Sequence, residues 1–445
     1  MNTTARSFLR LLAFALALVL VVLFANTFLI QTDAVTAMMM AELKSRDDIE
    51  LCIVGSSLSQ DHFNTALIEE RTGKRTFSAS VNGASLQADI AITEEMLRTN
   101  SPQWIVLVLD SYDLETAKEL IGAENRLMPH LTSWRTKLNY YLRLCREDGD
   151  YANRLFLFRT FGAQSLADVA KAFSLRYDQE NAFARAKESL PDGVAYMGGG
   201  YLRYTTDETA AELIRRKMIR EIDPPGYVYE LLTPTKRMLL EYAALCEASG
   251  AKLMIAIFPC LTAHALAEPD FLPYEESLMR FCEQEGIPCF NFTYAQRAFL
   301  PRLDEYFFDL HHMNAGGADR FSAAFAELFT RFTAGEDVSP LFYQTQEEYL
   351  ASIDFITNVW LVPQDGAQAF TADSNRGTEV TPEYRFCLIG EDGAETPLRD
   401  YAADPSIAAN IPQGGNLRVY ARPQGDPSAA PVYYDYPGDA MADEP

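Results

Sequence analysis

The pattern of apolar and polar residues divides the chain into three parts. Residues 11–31 are apolar except for Asn26, Thr27 and Gln31, and about 20 such residues suffice for a helix to cross a bilayer. From there to about residue 335, short apolar runs alternate with stretches of helical periodicity. The rest of the chain carries short β-rich runs separated by turns. We therefore expect an apolar N-terminal helix, a central α/β domain and a C-terminal β domain.

The first apolar segment predicts an uncleaved transmembrane signal anchor. Arg6 and Arg10 precede it, whereas the first basic residue after it is Lys44. Because basic residues concentrate on the cytoplasmic side of a membrane, the N-terminus is expected in the cytoplasm and the remaining chain outside. The alternative is a cleaved signal peptide, whose apolar region is usually only ~7–15 residues long. Either topology makes the working domain extracytoplasmic.

The central part predicts strands that alternate with helices. Four continuous apolar runs have the length of strands: Ile49–Val54, Trp104–Leu109, Leu253–Phe258 and Ile287–Phe292. Continuous runs are typical of strands buried on both faces of a parallel sheet. Helical periodicity marks three stretches near these runs: Ser85–Arg98, Thr235–Ala248 and Tyr274–Gln284. The alternation predicts a doubly wound α/β domain with a parallel sheet.

Composition and rhythm set the expected boundaries of the remaining parts. The region 120–230 fits the strand–helix rhythm poorly, and the last stretch is acidic and rich in Pro. We expect a cytoplasmic N-terminus at 1–10, a signal anchor at 11–31, a linker with a short helix at 32–47, an α/β domain at 48–335 with an insertion at about 120–230, an immunoglobulin-like β-sandwich at 336–424 and a disordered tail at 425–445.

Charge and cysteine content narrow the class of protein. A formal net charge of -24 argues against a nucleic-acid partner, because phosphate binding needs basic surfaces. It also argues against attachment to an anionic membrane through a generally basic surface, and it fits a neutral or cationic substrate. The seven cysteines include no C-x-x-C pair, so we expect free buried thiols. A Cys282–Cys289 disulfide is the open alternative.

A serine follows the first predicted strand in Gly55-Ser56-Ser57-Leu58-Ser59. Ligands of open α/β sheets bind outside the carboxyl ends of the strands, and Ser57 lies at such an end. The backbone N–H groups of a following helix would suit a developing oxyanion there. The structural alternative is a serine-rich helix cap, which needs no catalytic role.

Asp309 and His312 lie three residues apart, directly before the last predicted helix of the α/β domain. A carboxylate at this spacing can orient an imidazole and stabilise its protonated form after it accepts a serine proton. Only five histidines occur in the chain, and His311 also lies here, so His311 is an alternative base. We interpret His62, five residues after Ser57, as a polar surface residue of the first helix.

The two segments together resemble the first and last sequence blocks of the SGNH/GDSL hydrolase superfamily, a flavodoxin-like fold. More closely, the chain resembles the membrane-anchored branch found beside systems that acylate surface polysaccharides and teichoic acids. The resemblance covers about residues 48–335 and is strong at its two ends. It implies Ser57 as nucleophile, His312 as general base and Asp309 as its orienting partner. It also implies that the N–H groups of Ser57 and Gly83 bind the oxyanion.

The sequence departs from the family pattern at two places. Ser56 stands where an Asp is usual, which the anchored branch also tolerates. The Gly-x-Asn-Asp block, whose Asn donates to the oxyanion, is missing, and the corresponding strand ends in Leu109–Asp113. Loss of one oxyanion donor typically costs ~10²–10³ in rate. Asn82 is a candidate replacement.

These features predict a serine esterase, or an O-acyltransferase that modifies a cell-surface glycan or teichoic-type polymer. A multi-spanning membrane acyltransferase is an expected partner for transfer. The chain lacks H-E-x-x-H, Walker A and G-x-G-x-x-G motifs, and we expect neither a cofactor nor a metal. A non-catalytic factor that binds surface polymer is the main alternative, and a membrane-bound lipase or thioesterase is a third. The β-sandwich would bind glycan or a partner, or serve as a spacer.

Overall fold

The computed structural model of the chain describes residues 3–109, 126–217, 230–268, 271–364 and 368–438. It begins with helix α1, Thr3–Phe28. Residues Arg6–Phe28 are long and apolar enough to cross a membrane, and 6% of the most apolar window is buried within the protein. The helix starts and ends earlier than the predicted 11–31. After it, Ile30 forms an antiparallel bridge with Gly162.

Helix α2, Ala34–Ser45, begins after Asp33, whose carboxylate accepts the N–H groups of Val35 and Thr36. A helix was expected here, but the prediction of a linker is wrong. Met39 and Met40 are fully buried in the core of the α/β domain. The apolar Met side chains fill irregular gaps in that core, so α2 is part of the domain.

The strands of the α/β domain are β1 Leu51–Gly55, β2 Thr76–Ser80, β3 Trp104–Leu109, β4 Val194–Gly198, β5 Tyr201–Tyr204, β6 Lys252–Ile257 and β7 Cys289–Asn291. Within the described residues, five of them form one parallel sheet in the order β2-β1-β3-β6-β7. This is the flavodoxin-like order. The prediction of an α/β domain built on a parallel sheet is therefore confirmed.

The helices that follow α2 are α3 Ser57–His62, α4 Thr65–Thr72, α5 Leu86–Met96, α6 Trp134–Asp148, α7 Tyr151–Leu155, α8 Leu157–Thr160, α9 Leu166–Tyr177, α10 Gln179–Glu188, α11 Ala211–Lys217, α12 Thr233–Ser249, α13 Thr262–Ala267, α14 Phe271–Glu285, α15 Ala315–Thr333 and α16 Gln346–Ser352. Helices cover both faces of the sheet. Cys52 and Val54 of β1 pack with α5, α12 and α14, whereas Leu51 and Ile53 pack with α3, α4 and α15.

The described part of the predicted insertion consists of helices α6 to α10, the hairpin β4–β5 and α11. The hairpin turns through Gly198, Gly199 and Gly200, all with positive φ. Its tip meets the edge strand β2, where the carbonyl of Gly199 accepts the N–H of Ser78 at 2.8 Å. A Cβ atom on Gly200 would lie 1.8 Å from the Ser78 carbonyl oxygen, so only glycine fits this contact.

The C-terminal domain is a β-sandwich of antiparallel strands. Its strands are β8 Ile356–Pro363, β9 Ala369–Arg376, β10 Pro382–Ile389, β11 Glu395–Ala402, β12 Ser406–Ala408, β13 Asn416–Pro423 and β14 Val432–Pro437. Among the described residues they form sheets in the orders β11-β10-β13-β14 and β12-β9-β8. Phe370 from one sheet and Phe386 from the other lie in one buried core. The immunoglobulin-like relationship stays a prediction.

Two expected boundaries of this domain are wrong. The sandwich starts at Ile356 rather than at residue 336, because Tyr349 and Ile353 still pack against the α/β domain through Phe271. The tail predicted to be disordered from residue 425 contains strand β14. Alternating tyrosines of β14 pack on the sandwich core, which stabilises the strand despite its acidic surroundings.

All seven cysteines are free, and five of them are buried. Cys282 and Cys289 are not joined by a disulfide. Burial raises the pKa of the Cys52 thiol to about 12, so this thiol stays protonated and is a poor nucleophile. The five buried thiols act as small apolar side chains, as predicted, whereas Cys260 and Cys289 are half-buried.

Candidate active site

Ser57 is the first residue of α3, immediately beyond the carboxyl end of β1. The preceding Ser56 has an extended backbone, and its side chain accepts the N–H of Leu58 as the helix cap. Gly55 allows this tight strand-to-helix turn, since a Cβ there would lie 2.7 Å from the carbonyl oxygen of Val108. The turn leaves Ser57 half-buried at the edge of the sheet where ligands bind.

Asp309 and His312 lie on a short loop that enters α15. The loop is closed by an antiparallel bridge between Phe307 and Met313, and the Phe308 N–H donates to the His312 carbonyl at 3.0 Å. Asn314 caps α15 by accepting the N–H groups of the helix's first two glycines. These bonds hold the two side chains in one place before α15 begins.

The loop brings the predicted residues into one hydrogen-bonded chain. Ser57 Oγ is 2.9 Å from His312 Nε2. On the other side of the ring, His312 Nδ1 is 2.9 Å from Asp309 Oδ2 and 3.1 Å from Asp309 Oδ1. The ring of His311 is exposed and lies 5.4 Å from His264. His312, rather than His311, therefore contacts the serine.

Asp309 is held ionised. Its partial burial opposes ionisation, but the hydrogen bond and positive charge of His312 and the amides of His311 and His312 outweigh it and lower the pKa of Asp309 to about 2. The two amides donate to Oδ1 at 2.8 and 2.7 Å. The carboxylate is thus oriented from its own loop and leaves Oδ2 for the imidazole.

His62 lies behind this loop, and its interpretation as a surface residue is wrong. The side chain is fully buried, and its Nε2 accepts the N–H of Met313 at 2.8 Å. Its ring stacks on Phe258 at 4.4 Å and lies 5.9 Å from the His312 ring. Burial and the nearby His312 hold the pKa of His62 well below its usual value. The neutral ring is therefore an acceptor for the amide that follows His312.

Asp61 is a second buried group that the sequence reasoning missed. It lies one helical turn after Ser57 and is 4% exposed. Burial, with a smaller contribution from the negative charge of Asp309, raises the pKa of Asp61 to about 7, although His312 opposes the shift. A four-residue spacing from the serine was the available signal, because it places both side chains on one helix face.

The candidate oxyanion segment forms a tight turn after β2. The Ala84 N–H donates to the Val81 carbonyl at 2.9 Å, and Gly83 has φ +70°, as the third position of a type II turn requires. Asn82 is exposed, and its carbonyl accepts a hydrogen bond from Arg126. The oxyanion roles of Ser57, Gly83 and Asn82 stay predictions. Residues 110–113, which replace the family's Gly-x-Asn-Asp block, lie outside the described residues.

The insertion contacts the loop that carries the acid and the base. Tyr204 of β5 packs on Phe308 with ring centroids 5.3 Å apart, and Phe308 stacks on His312 at 6.1 Å. The side-chain amide of Asn314 donates to the carbonyl of Thr206 at 3.2 Å. The segment after the hairpin thus supports one side of the site.

The described residues contain no candidate metal site. Among them, no group of three or more His, Cys, Asp or Glu side chains is arranged to hold an ion. The arrangement at Ser57 instead has the parts of a nucleophile–base–carboxylate triad. Chemically, it can deprotonate a serine hydroxyl as that hydroxyl attacks a carbonyl carbon.

Comparisons with known proteins find only distant likeness. No family model and no curated protein matches the chain. A candidate acylhydrolase from Bacteroides fragilis is 10% identical with a TM-score of 0.31, over 66% of this chain and 94% of that one. A GDSL-like lipase from Bacteroides thetaiotaomicron is 10% identical with a TM-score of 0.32, over 67% of this chain and 100% of that one. Likeness at this level defines no family for the chain, so its function has to be inferred from the site.

Proposed function

We propose that the chain is a membrane-anchored, extracytoplasmic serine esterase or O-acyltransferase of the SGNH/GDSL type, acting on acyl esters of a cell-surface polysaccharide. The observation that carries the proposal is the hydrogen-bonded chain from Ser57 Oγ through the His312 ring to Asp309. A serine hydroxyl at ordinary pKa is a weak nucleophile and needs such a base. The residues come together from opposite ends of the domain, 255 positions apart.

The reaction begins when Ser57 Oγ attacks the carbonyl carbon of the acyl donor. His312 Nε2 accepts the hydroxyl proton, and Asp309 stabilises the imidazolium through Nδ1. The tetrahedral intermediate collapses, the donor's oxygen leaves with the proton from His312, and the acyl group stays on Ser57. Water or a sugar hydroxyl then gives its proton to His312 and attacks the acyl carbon. The bond between that carbon and Ser57 Oγ breaks, and His312 returns the proton to Ser57 Oγ. Water yields hydrolysis, and the sugar hydroxyl yields transfer.

The oxyanion of each intermediate needs donors that are in place before the reaction. We assign this role to the backbone N–H groups of Ser57 and Gly83. Asn82 is the candidate third donor, since it adjoins Gly83 in the same turn. The Arg126 hydrogen bond to the Asn82 carbonyl supports the turn from the insertion. Loss of a donor at this position would cost ~10²–10³ in rate.

Helix α1 supports a location at the outer face of the cell membrane. Its apolar span, Arg6–Phe28, carries Arg6 and Arg10 at its N-terminal end, which favours a cytoplasmic N-terminus. A site tethered there meets both a membrane-derived acyl donor and a nascent surface polymer. In the transfer reaction, a multi-spanning membrane protein exports the acyl group and Ser57 receives it. The β-sandwich is a candidate glycan-binding or partner-binding module.

A second candidate is a polymer-binding assembly factor that keeps the fold without turnover. One sequence observation favours it, since Leu109–Asp113 lacks the Asn that would donate to the oxyanion. The intact hydrogen-bonded triad argues against it, because a binding factor needs no serine–imidazole–carboxylate alignment.

The test is active-site labelling of the full chain in detergent by a fluorophosphonate probe, together with hydrolysis of a short-chain aryl ester. The wild type should be labelled, and Ser57→Ala and His312→Ala should not be. Labelling without hydrolysis would favour a transferase that needs its own acceptor. Unlabelled wild type would favour the binding factor, and labelling that survives Ser57→Ala would refute the assigned nucleophile.

A further inference from the structure

The helices of the insertion expose a set of large apolar side chains close to α1. We call residues 134–177, which contain α6 to α9, the helical shelf. Leu166 is 88% exposed and Trp134 is 76% exposed. The other exposed large apolar side chains of the shelf are Leu138, Leu142, Tyr151, Leu155, Phe173 and Tyr177. Soluble surfaces rarely gather so many apolar groups in one region unless something covers them.

Helix α6 shows the pattern most clearly, because it is apolar on both sides. Its buried side packs Tyr140 and Leu144 into the domain core. On the opposite side Trp134, Leu138 and Leu142 follow one another at four-residue spacing and form a stripe in solvent. A helix that only covered the domain would carry polar residues along such a stripe.

The shelf is fastened to the outer end of the apolar span. Phe173 stacks on Phe28 with ring centroids 4.1 Å apart and also packs on Phe24 at 6.4 Å. The side-chain amide of Asn26 donates to the Leu155 carbonyl at 2.8 Å. Because Phe24 lies inside the span that ends at Phe28, these contacts place part of the shelf at the depth of the bilayer surface. An interfacial helix lies about 5–10 Å into the headgroup region.

The charge of the shelf contrasts with that of the whole chain. Residues 134–177 contain eight basic and four acidic residues, within a chain of net charge -24. Exposed basic residues occur along the shelf: Arg135, Arg146, Arg159, Lys171 and Arg176. Basic side chains beside exposed Trp and Leu are the composition of a surface that binds anionic lipid. The local excess of basic residues departs from the expectation drawn from net charge.

We propose that the helical shelf lies on the outer surface of the bilayer and inserts Trp134, Leu138 and Leu142 past the headgroups of anionic phospholipids, to the boundary with the acyl chains. The proposal rests on the membrane anchoring stated under the proposed function and adds a second, interfacial attachment. A single helix lets a domain rotate and tilt freely, whereas two attachments fix its orientation. The shelf thereby sets one orientation of the catalytic domain over the membrane.

The test uses tryptophan fluorescence of the full chain in vesicles of phosphatidylcholine and phosphatidylglycerol with brominated acyl chains. Bromine quenches only tryptophans that reach the acyl region. Trp360 is buried in the sandwich, and Trp104 packs against Phe329 and Phe332. We expect brominated lipid to remove roughly one third of the emission, the share of one interfacial tryptophan in three.

Two variants test whether Trp134 is the tryptophan that the brominated lipid quenches. Trp134→Phe should abolish the quenching, and the matched control Trp360→Phe should keep it. Vesicle flotation on the same samples reports anchoring independently. A chain that floats but shows no quenching of Trp134 refutes the insertion of the helical shelf into the bilayer. This outcome includes the case in which a protein partner or a second copy of the chain covers the exposed apolar side chains. A chain that does not float overturns the anchoring itself and the shelf with it.

Discussion

Replacing Asp309 by Asn probes the triad without changing its shape. Oδ1 of Asp309 accepts the N–H groups of His311 and His312 at 2.8 and 2.7 Å. An Asn side chain would keep its oxygen at these two amides. Its NH₂ group would then occupy the position of Oδ2, which lies 2.9 Å from His312 Nδ1.

The consequence is a change of tautomer. Facing an NH₂ donor, Nδ1 of His312 has to accept, so the ring proton moves to Nε2 and points at Ser57 Oγ. The ring can then no longer take the serine proton. In the chymotrypsin triad the same substitution lowers kcat about 10⁴-fold, which corresponds to about 5.4 kcal/mol. We expect a loss of similar size here, with little loss of stability because the loop hydrogen bonds survive.

The rate of fluorophosphonate labelling measures this loss directly, since it reports serine activation whether the natural acceptor is water or a sugar. Aryl-ester hydrolysis gives the same information where turnover is measurable. Asp304→Asn is the matched control, because the Asp304 carboxylate accepts hydrogen bonds from the backbone N–H and the hydroxyl of Thr262, the first residue of α13. It should label at the wild-type rate. Labelling of Asp309→Asn within about tenfold of wild type would refute the tautomer argument.

Three further predictions concern the surroundings of the site, each checked on the detergent-solubilised chain. Gly200→Ala should lower the melting temperature far more than Gly250→Ala; both have positive φ, but a Cβ at Gly250 meets nothing within 4 Å, leaving only the about 1–2 kcal/mol of a left-handed residue. His62→Phe should keep the ring packing yet leave a buried amide unpaired, which costs about 1–3 kcal/mol in the free energy of unfolding; an unchanged value would contradict its acceptor role. The pKa of Asp61 is about 7 in the folded chain and about 4 in the unfolded chain. The protonated carboxyl group of Asp61 therefore stabilises the fold, and this contribution to the free energy of unfolding is complete below about pH 4. That contribution, on the order of 4 kcal/mol, is lost as the pH rises through 7. Urea unfolding of Asp61→Asn should therefore depend less on pH between 5 and 8 than that of the wild type.

The strands of the parallel sheet that the sequence predicted are those with continuous apolar runs. Trp104–Leu109 forms β3 with the predicted ends, because a strand buried on both faces has no polar positions to blur it. β2, Thr76–Ser80, escaped detection because it buries polar residues. Its Ser78 and Ser80 hydroxyls bond each other at 2.9 Å, and Ser80 also bonds Ser59 at 2.7 Å. Hydrophobic patterning cannot reveal a buried position that is satisfied by such a network.

The residues of the candidate site also divide into those that a local sequence pattern predicts and those that it does not. Ser57 and His312 were proposed from local motifs, because a serine and a histidine in such motifs have the chemistry of a nucleophile and a general base. The acceptor role of His62 depends on Met313, which is 251 positions away in the chain, so no local pattern contains it. Strand β14 was missed for another reason, because the acidic, Pro-rich composition of the stretch around it predicted a disordered tail. Asp435 instead pairs with Arg418 of the adjacent strand at 2.6 and 2.8 Å.

The hairpin β4–β5 also bears on the solubility of the protein. β2 is one of the two edge strands of the described parallel sheet, and an uncovered edge strand offers its free N–H and C=O groups to any other extended chain. The tip of the hairpin occupies one of these groups through Gly199 and blocks the approach of a second molecule. Undocking the hairpin would turn the sheet into a template for intermolecular strand pairing. Purified Gly200 variants should therefore form β-rich aggregates before their domain cores unfold.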